Sequence, residues 1–191
     1  MCAGFVYRPH VETAEGVFTP DIVLDGLTVA VGNARYPVSV ERLTGDAAIE
    51  VVGAETRAQG AVALIAASAG SLIGIGSDHV DGALADDPAR ARQVCAKPLS
   101  RATWRFAEIA GHLDEIVLRT EAVDGAGRSH ETETALADIA ALPADGAVPG
   151  ATVIFAHASP EALPGPARVT VTLEDRRSSR RLVHRYAVRV L

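Results

Sequence analysis

Cysteine is nearly absent. Two in 191 residues, Cys2 and Cys95, make no disulfide framework. Aromatic residues are 4% of the chain, so its core must come from Ala, Val, Leu and Ile. No apolar run approaches the roughly 20 residues needed to cross a bilayer. No basic segment followed by an apolar stretch opens the chain. No Walker loop, zinc-type cysteine pair or Gly-x-Ser-x-Gly elbow is present. A surplus of positive charge is missing too: the net charge is −6, which argues against a general nucleic-acid binder. These absences lead to the expectation of a cytoplasmic protein that meets a small molecule, with neither membrane nor nucleic acid as partner. Arg176, Arg177, Arg180, Arg181, Arg185 and Arg189 crowd the C-terminus and read as a solvated hairpin face.

What is there is apolar and strand-like. Hydrophobic residues are 48% of the chain. The length suits one domain, 1–191, with residues 1–16 expected to be loose. Ile22-Val23-Leu24 and Leu27 to Val31 flank Asp25-Gly26, a hairpin signal. Arg35 to Val40 and Ala48 to Val52 read as extended. Ala61 to Ala67 and Ser71 to Ile75 read as two strands about a tight connection. Asp86-Asp87-Pro88 should start a helix over Ala89 to Cys95, because Asp caps and Pro suits a first turn. Apolar spacing predicts short helices within Ser100–Gly111 and over Glu133–Leu142. Strands are expected at Ile116–Ala122, Arg128–Glu133, Ala151–Ala156, Val169–Leu173 and Leu182–Val190. The resulting fold class is α+β, dominated by mixed or antiparallel sheet.

One stretch gathers chemistry. Gly74-Ile75-Gly76 breaks an apolar run, and Ser77-Asp78-His79-Val80-Asp81 follows. Loops at strand ends carry the chemistry of rigid scaffolds. The plainer reading is a turn in which Asp78 caps and His79 meets solvent. The glycines do not make a dinucleotide fingerprint, because His79 stands at the third glycine. Cys95 reads as a buried small residue, with Arg92 and Lys97 as the nearby cations that a reactive thiol would need.

Gly76-Ser77-Asp78-His79-Val80-Asp81, Gln93-Val94-Cys95-Ala96-Lys97-Pro98, Trp104-Arg105-Phe106 and His112 to Arg119 fall in an ordered series. With Leu173-Glu174-Asp175 and His184-Arg185-Tyr186 they resemble the domain-of-unknown-function family 2848. That family is distantly similar to the fumarylacetoacetate hydrolases. The resemblance covers about Tyr36 to Leu191 and implies a β-rich, rolled mixed sheet with a few short helices, usually as a homodimer. It also implies a divalent metal, Mg or Mn, held by a Glu-x-Glu pair and a loop Asp. Asp78 matches the loop Asp. The pair falls on Ala61 and Ala63, so Asp78 would be the only surviving ligand, and one carboxylate is a poor cage. Gly82 stands where the family has Arg, Arg92 where relatives have Lys, and Ala156-His157-Ala158 where they have Gly-Thr. The N-terminal helix carrying a His/Glu pair is missing.

Three readings follow. The first is a metal-independent, cofactor-free enzyme that isomerises, cyclises, decarboxylates or cleaves a small β-dicarbonyl, enol or polyketide-like compound. The others are a conventional divalent-metal hydrolase or lyase, and a binding or scaffold protein without catalysis. In the first, Asp78, His79 and Lys97 are the catalytic candidates, and Asp81, Arg92 and His157 contact substrate. Asp78 would act as base if burial raised its pKa, His79 as proton shuttle near neutral pH. Arg92 or Lys97 would hold a carboxylate or enolate oxygen.

Overall fold

Alternating and β-branched segments predict strands, and strands make most of the molecule. The computed structural model describes residues 4–143, 145–157 and 162–191; Cys2 and Ala158 lie outside them. In chain order the strands are β1 (Phe5–Tyr7), β2 (His10–Thr13), β3 (Gly16–Phe18), β4 (Ile22–Leu24), β5 (Gly26–Val31), β6 (Ala34–Val38), β7 (Leu43–Thr44) and β8 (Ala48–Val51). There follow β9 (Thr56–Ile65), β10 (Leu72–Asp81), β11 (Lys97–Arg105), β12 (Ile116–Asp124), β13 (Ser129–Ala135), β14 (Thr152–His157), β15 (Leu163–Pro164), β16 (Pro166–Asp175) and β17 (Arg180–Val190). The large sheet runs β3-β2-β11-β10-β9-β14-β5-β6, with β7 and β15 attached to β11 and β9. A second sheet runs β13-β12-β16-β17-β8, and β1 pairs with β4. Among the described residues no helix is long and apolar enough to cross a membrane.

Strand periodicity gives the large sheet two apolar faces. One carries Ala58, Val62, Leu64, Ile73 and Ile75 and packs on Val169, Val171, Leu173, Leu182 and Tyr186 of the second sheet. The other carries Ala61, Ala63, Ile65, Leu72, Leu99 and Phe155; Val11, Leu27 and Val29 of the same rolled sheet and Leu24 of β4 join them in one cluster. The register of β10 on β11 slips between Gly74 and Gly76, and such irregularities bend a strand. The backbone is tight there. A Cβ on Gly76 would lie 2.5 Å from the Pro98 carbonyl oxygen and 2.7 Å from the Phe155 ring. Gly76→Ala should therefore cost about 1–3 kcal/mol, the usual penalty of overpacking, read as a lower urea midpoint.

The β9–β10, β12–β13 and β16–β17 hairpins follow the sequence reading. So does the helix α1 (Pro88–Gln93), where Asp87 accepts from the Arg90 amide at 3.0 Å. Four expectations are corrected. Residues 4–16 are not loose: β1 and β2 are tied into sheets by β4 and β11. Asp25-Gly26 is not a hairpin turn. β4 goes to β1 and β5 goes to β14 and β6, and a Cβ on Gly26 would stand close to Thr152 Oγ1, at 3.0 Å. The helix expected within 100–111 is β11 followed by one 3-10 turn, Phe106–Glu108, because pairing with β10 and β2 on both sides overrides the local spacing. The helix expected over 133–142 is the end of β13 and a 3-10 turn, Leu136–Asp138. Leu136 and Ile139 are buried by that turn without further helix.

Candidate functional site

Asp78 and His79 are not in a loop after the strand. They lie inside β10, opposite Gln59 and Ala58 of β9, and both are fully buried. Neighbouring strand residues face opposite ways, so the two side chains belong to different surroundings.

Asp78 faces the rolled side. Its Oδ1 is 3.0 Å from Lys97 Nζ and its Oδ2 is 3.0 Å from Arg92 Nε. His157 Nε2, from the end of β14, is 3.6 Å from Oδ2. Lys97 is wholly buried and also donates from Nζ to the His79 carbonyl. Arg92 comes from α1, donates to the Pro88 carbonyl at 2.9 Å and lies over the Tyr36 ring, 4.4 Å from its centroid. Gln93 fixes α1 against β6 by its bonds to Pro37 O and Ser39 N. At 8% exposure, Arg92 is the member that meets solvent. Burial raises the Asp78 pKa, but Lys97, His157 and Arg92 outweigh it and hold the carboxyl at about 2. That is opposite to the elevation expected of a base. Burial pushes the Lys97 pKa down, and the attraction of Asp78 opposes it.

His79 faces the space between the sheets. Its Nε2 is 2.7 Å from the Tyr186 hydroxyl and its Nδ1 3.4 Å from Thr56 Oγ1. Burial first, then Lys97, lowers its pKa to about 3, so the ring is neutral at pH 7 and does not titrate where a neutral-pH shuttle must. Asp81 ends β10 and caps the next turn, accepting from Ala83 N at 3.0 Å. The structure thus joins Asp78, Lys97, Arg92 and His157, and leaves the His79 ring and Asp81 apart. Gln59, Tyr36 and Tyr186 were not singled out as site residues by the sequence. Tyr186 sat in a motif that carried the resemblance. Gln59 was visible as the residue before the Gly-Ala-Val-Ala segment. Nothing marked Tyr36.

The residues present do not fit a divalent ion. Ala61 and Ala63 share a face with Asp78, since they pair with Gly76 and Gly74. They offer methyl groups where carboxylates are needed, and the Phe155 ring, paired beside Ala63, packs in the same core. Asp78 already faces two cations. A hard cation wants several oxygens, and three or more His, Cys, Asp or Glu side chains grouped for a metal are not found among the described residues.

The family model described as protein of unknown function, DUF2848, matches residues 28–186. The chain belongs to that family. No curated protein is similar to it by sequence. Among solved structures it is similar to a 2-keto-3-deoxyarabinonate dehydratase at 13% identity and TM-score 0.66, over 94% of this chain and 79% of that one. It is similar to a 5-carboxymethyl-2-hydroxymuconate delta-isomerase from Mycobacterium smegmatis at 16% identity and TM-score 0.59, over 92% and 82%. A 2-hydroxyhepta-2,4-diene-1,7-dioate isomerase from Mycobacterium marinum matches at 12% and 0.61, over 96% and 98%. At these identities the likeness establishes the fold, which is the rolled β fold of the fumarylacetoacetate hydrolase-like proteins.

Proposed function

We propose that this DUF2848 chain is a metal-independent enzyme acting on a small β-dicarbonyl, enol or polyketide-like compound. The observation that carries the reading is the cage around Asp78, in which Lys97 and Arg92 supply positive charge on the face where Ala61 and Ala63 offer only methyl groups. Enolisation, ring closure, decarboxylation and C–C cleavage all develop negative charge on oxygen. Fixed cations aimed at such charge in a water-poor site lower the barrier. The proteins that share the fold include isomerases of a 2-hydroxymuconate and of a 2-hydroxydienedioate and a dehydratase of a 2-keto-3-deoxy acid, and one dehydratase structure is a complex with magnesium and 2,5-dioxopentanoate. Within this reading Arg92 holds the substrate's acidic end, Lys97 faces its carbonyl, and His157 contacts the substrate beside Asp78. The chain works as a single domain, as a homodimer, in the cytoplasm.

Elemental analysis after gel filtration tests the metal. The purified protein should retain no stoichiometric Mg, Mn or Ca. One equivalent carried through the column would restore the conventional metal-dependent hydrolase or lyase.

A further inference from the structure

The chain carries seventeen arginines and one lysine. That single lysine is Lys97, and it lies wholly buried against Asp78. Arg and Lys are interchangeable for surface charge, but not as chemistry. A guanidinium stays protonated and forms no imine, whereas an ammonium in a dry site gives up its proton and becomes a nucleophile. Neutralising the Asp78 carboxylate requires no lysine, because Arg92 already lies at Oδ2, 3.0 Å away. Lys97 adds a primary amine, held between Asp78 Oδ1 and the His79 carbonyl with a second cation across the shared carboxylate. Burial beside another cation is the setting that activates amine nucleophiles.

We propose that Lys97 is a covalent catalyst, forming a Schiff base with the ketone of a small oxo acid whose carboxylate pairs with Arg92. The inference rests on the reading above and names the substrate class. The ligand enters from the Arg92 side, since Arg92 is the member that meets solvent. Lys97 passes one ammonium proton to Asp78, the freed Nζ pair attacks the ketone carbon, and the C–N bond forms. That proton and a second one from nitrogen reach the former carbonyl oxygen, which leaves as water. The protonated imine that remains takes its C=N pair onto nitrogen as the neighbouring carbon gives up the pair of a C–H bond or, in a 3-oxo acid, of its C–carboxylate bond. A proton or carbon dioxide departs, and an enamine results. Protonation at carbon and addition of water then release the product and restore the amine. An iminium nitrogen provides the electron sink that the methyl groups of Ala61 and Ala63 cannot recruit.

The test uses the full chain with pyruvate in one arm and acetoacetate in the other, each followed by sodium borohydride. Intact mass and a peptide map are then read. Besides Lys97, the only primary amine is the N-terminus, so the assignment is unambiguous. The expected result is one reduced adduct on the Lys97 peptide in at least one arm, lost in Lys97→Arg, which keeps the charge. The wild-type map decides the matter even if that variant does not fold. An adduct confined to the N-terminal amine, or none in either arm, overturns the proposal. Its failure is separable from failure of the broader reading. A metal-free protein whose thermal midpoint rises with an oxo acid, yet fixes nothing on Lys97, loses only the covalent step. A protein that also retains an equivalent of metal loses both.

Discussion

Replacing Asp78 with Asn should cost the protein about 3–5 kcal/mol of stability and slow its reaction about a hundredfold or more. The substitution keeps the shape and removes the one negative charge that Lys97 and Arg92 share at 3.0 Å. Lys97 is fully buried and Arg92 is 8% exposed, so solvent screens the remaining charges only weakly. Removing one partner from a buried ionic group costs more than the group contributes intact, because the desolvation of the remaining charges is no longer offset. Urea unfolding at pH 7 reads the first effect, and turnover of the true substrate reads the second. Lys97→Met should destabilise less, since Asp78 then keeps Arg92. A loss under about 1 kcal/mol in Asp78→Asn, the range of an exposed pair, would show that the cluster is hydrated and that the charge argument fails.

The sequence made the site's membership more legible than its arrangement. Asp78, Lys97, Arg92 and His157 come from three separate segments, and the resemblance names all four as candidates. What it could not supply was facing. Asp78 and His79 were read as a pair in a loop because glycines precede them. Those glycines instead let β10 pass close to Pro98 and Phe155, and the strand continues to Asp81. Once both residues are in a strand, the two-residue period sends them to opposite sides. The same competition between local signal and pairing explains the fold errors. Asp25-Gly26 has hairpin chemistry, yet β14, far along the chain, claims β5. Ala, Leu and Ile at 133–142 have helical spacing, yet β12 claims the first part through pairs such as Arg119 with Glu133. Local patterns that no distant strand contests, such as Asp87-Pro88 at α1, keep the structure their residues favour. The pKa directions were beyond reach for the same reason. Burial alone argues for a raised Asp78, and only the positions of Lys97, His157 and Arg92 reverse it.

Acidification should remove stability in a range set by His79. Its ordinary pKa is 6.5 and its folded value is about 3, first because burial disfavours the charged ring, then because Lys97 repels it, against the pull of Asp78. Below pH 6.5 the unfolded chain binds a proton at this histidine while the folded one does not. The unfolded state then holds more protons, and stability falls as pH falls, until the folded ring titrates near 3. Each pH unit in that window costs up to about 1.4 kcal/mol. His184, whose folded value is about 4 through burial, adds to the same slope in the upper part of the window. Asp78, depressed from 3.8 to about 2, extends the loss in the same direction to lower pH. Urea midpoints of the wild type should therefore decline steadily on acidification from neutrality. In His79→Gln, whose amide can still meet the Tyr186 hydroxyl, the protein starts less stable and the decline is shallower. If the two proteins show parallel slopes between about pH 6.5 and 4, the His79 ring is not held neutral by its burial between Thr56 and Tyr186, and the acid sensitivity must lie with His184 and the carboxylates.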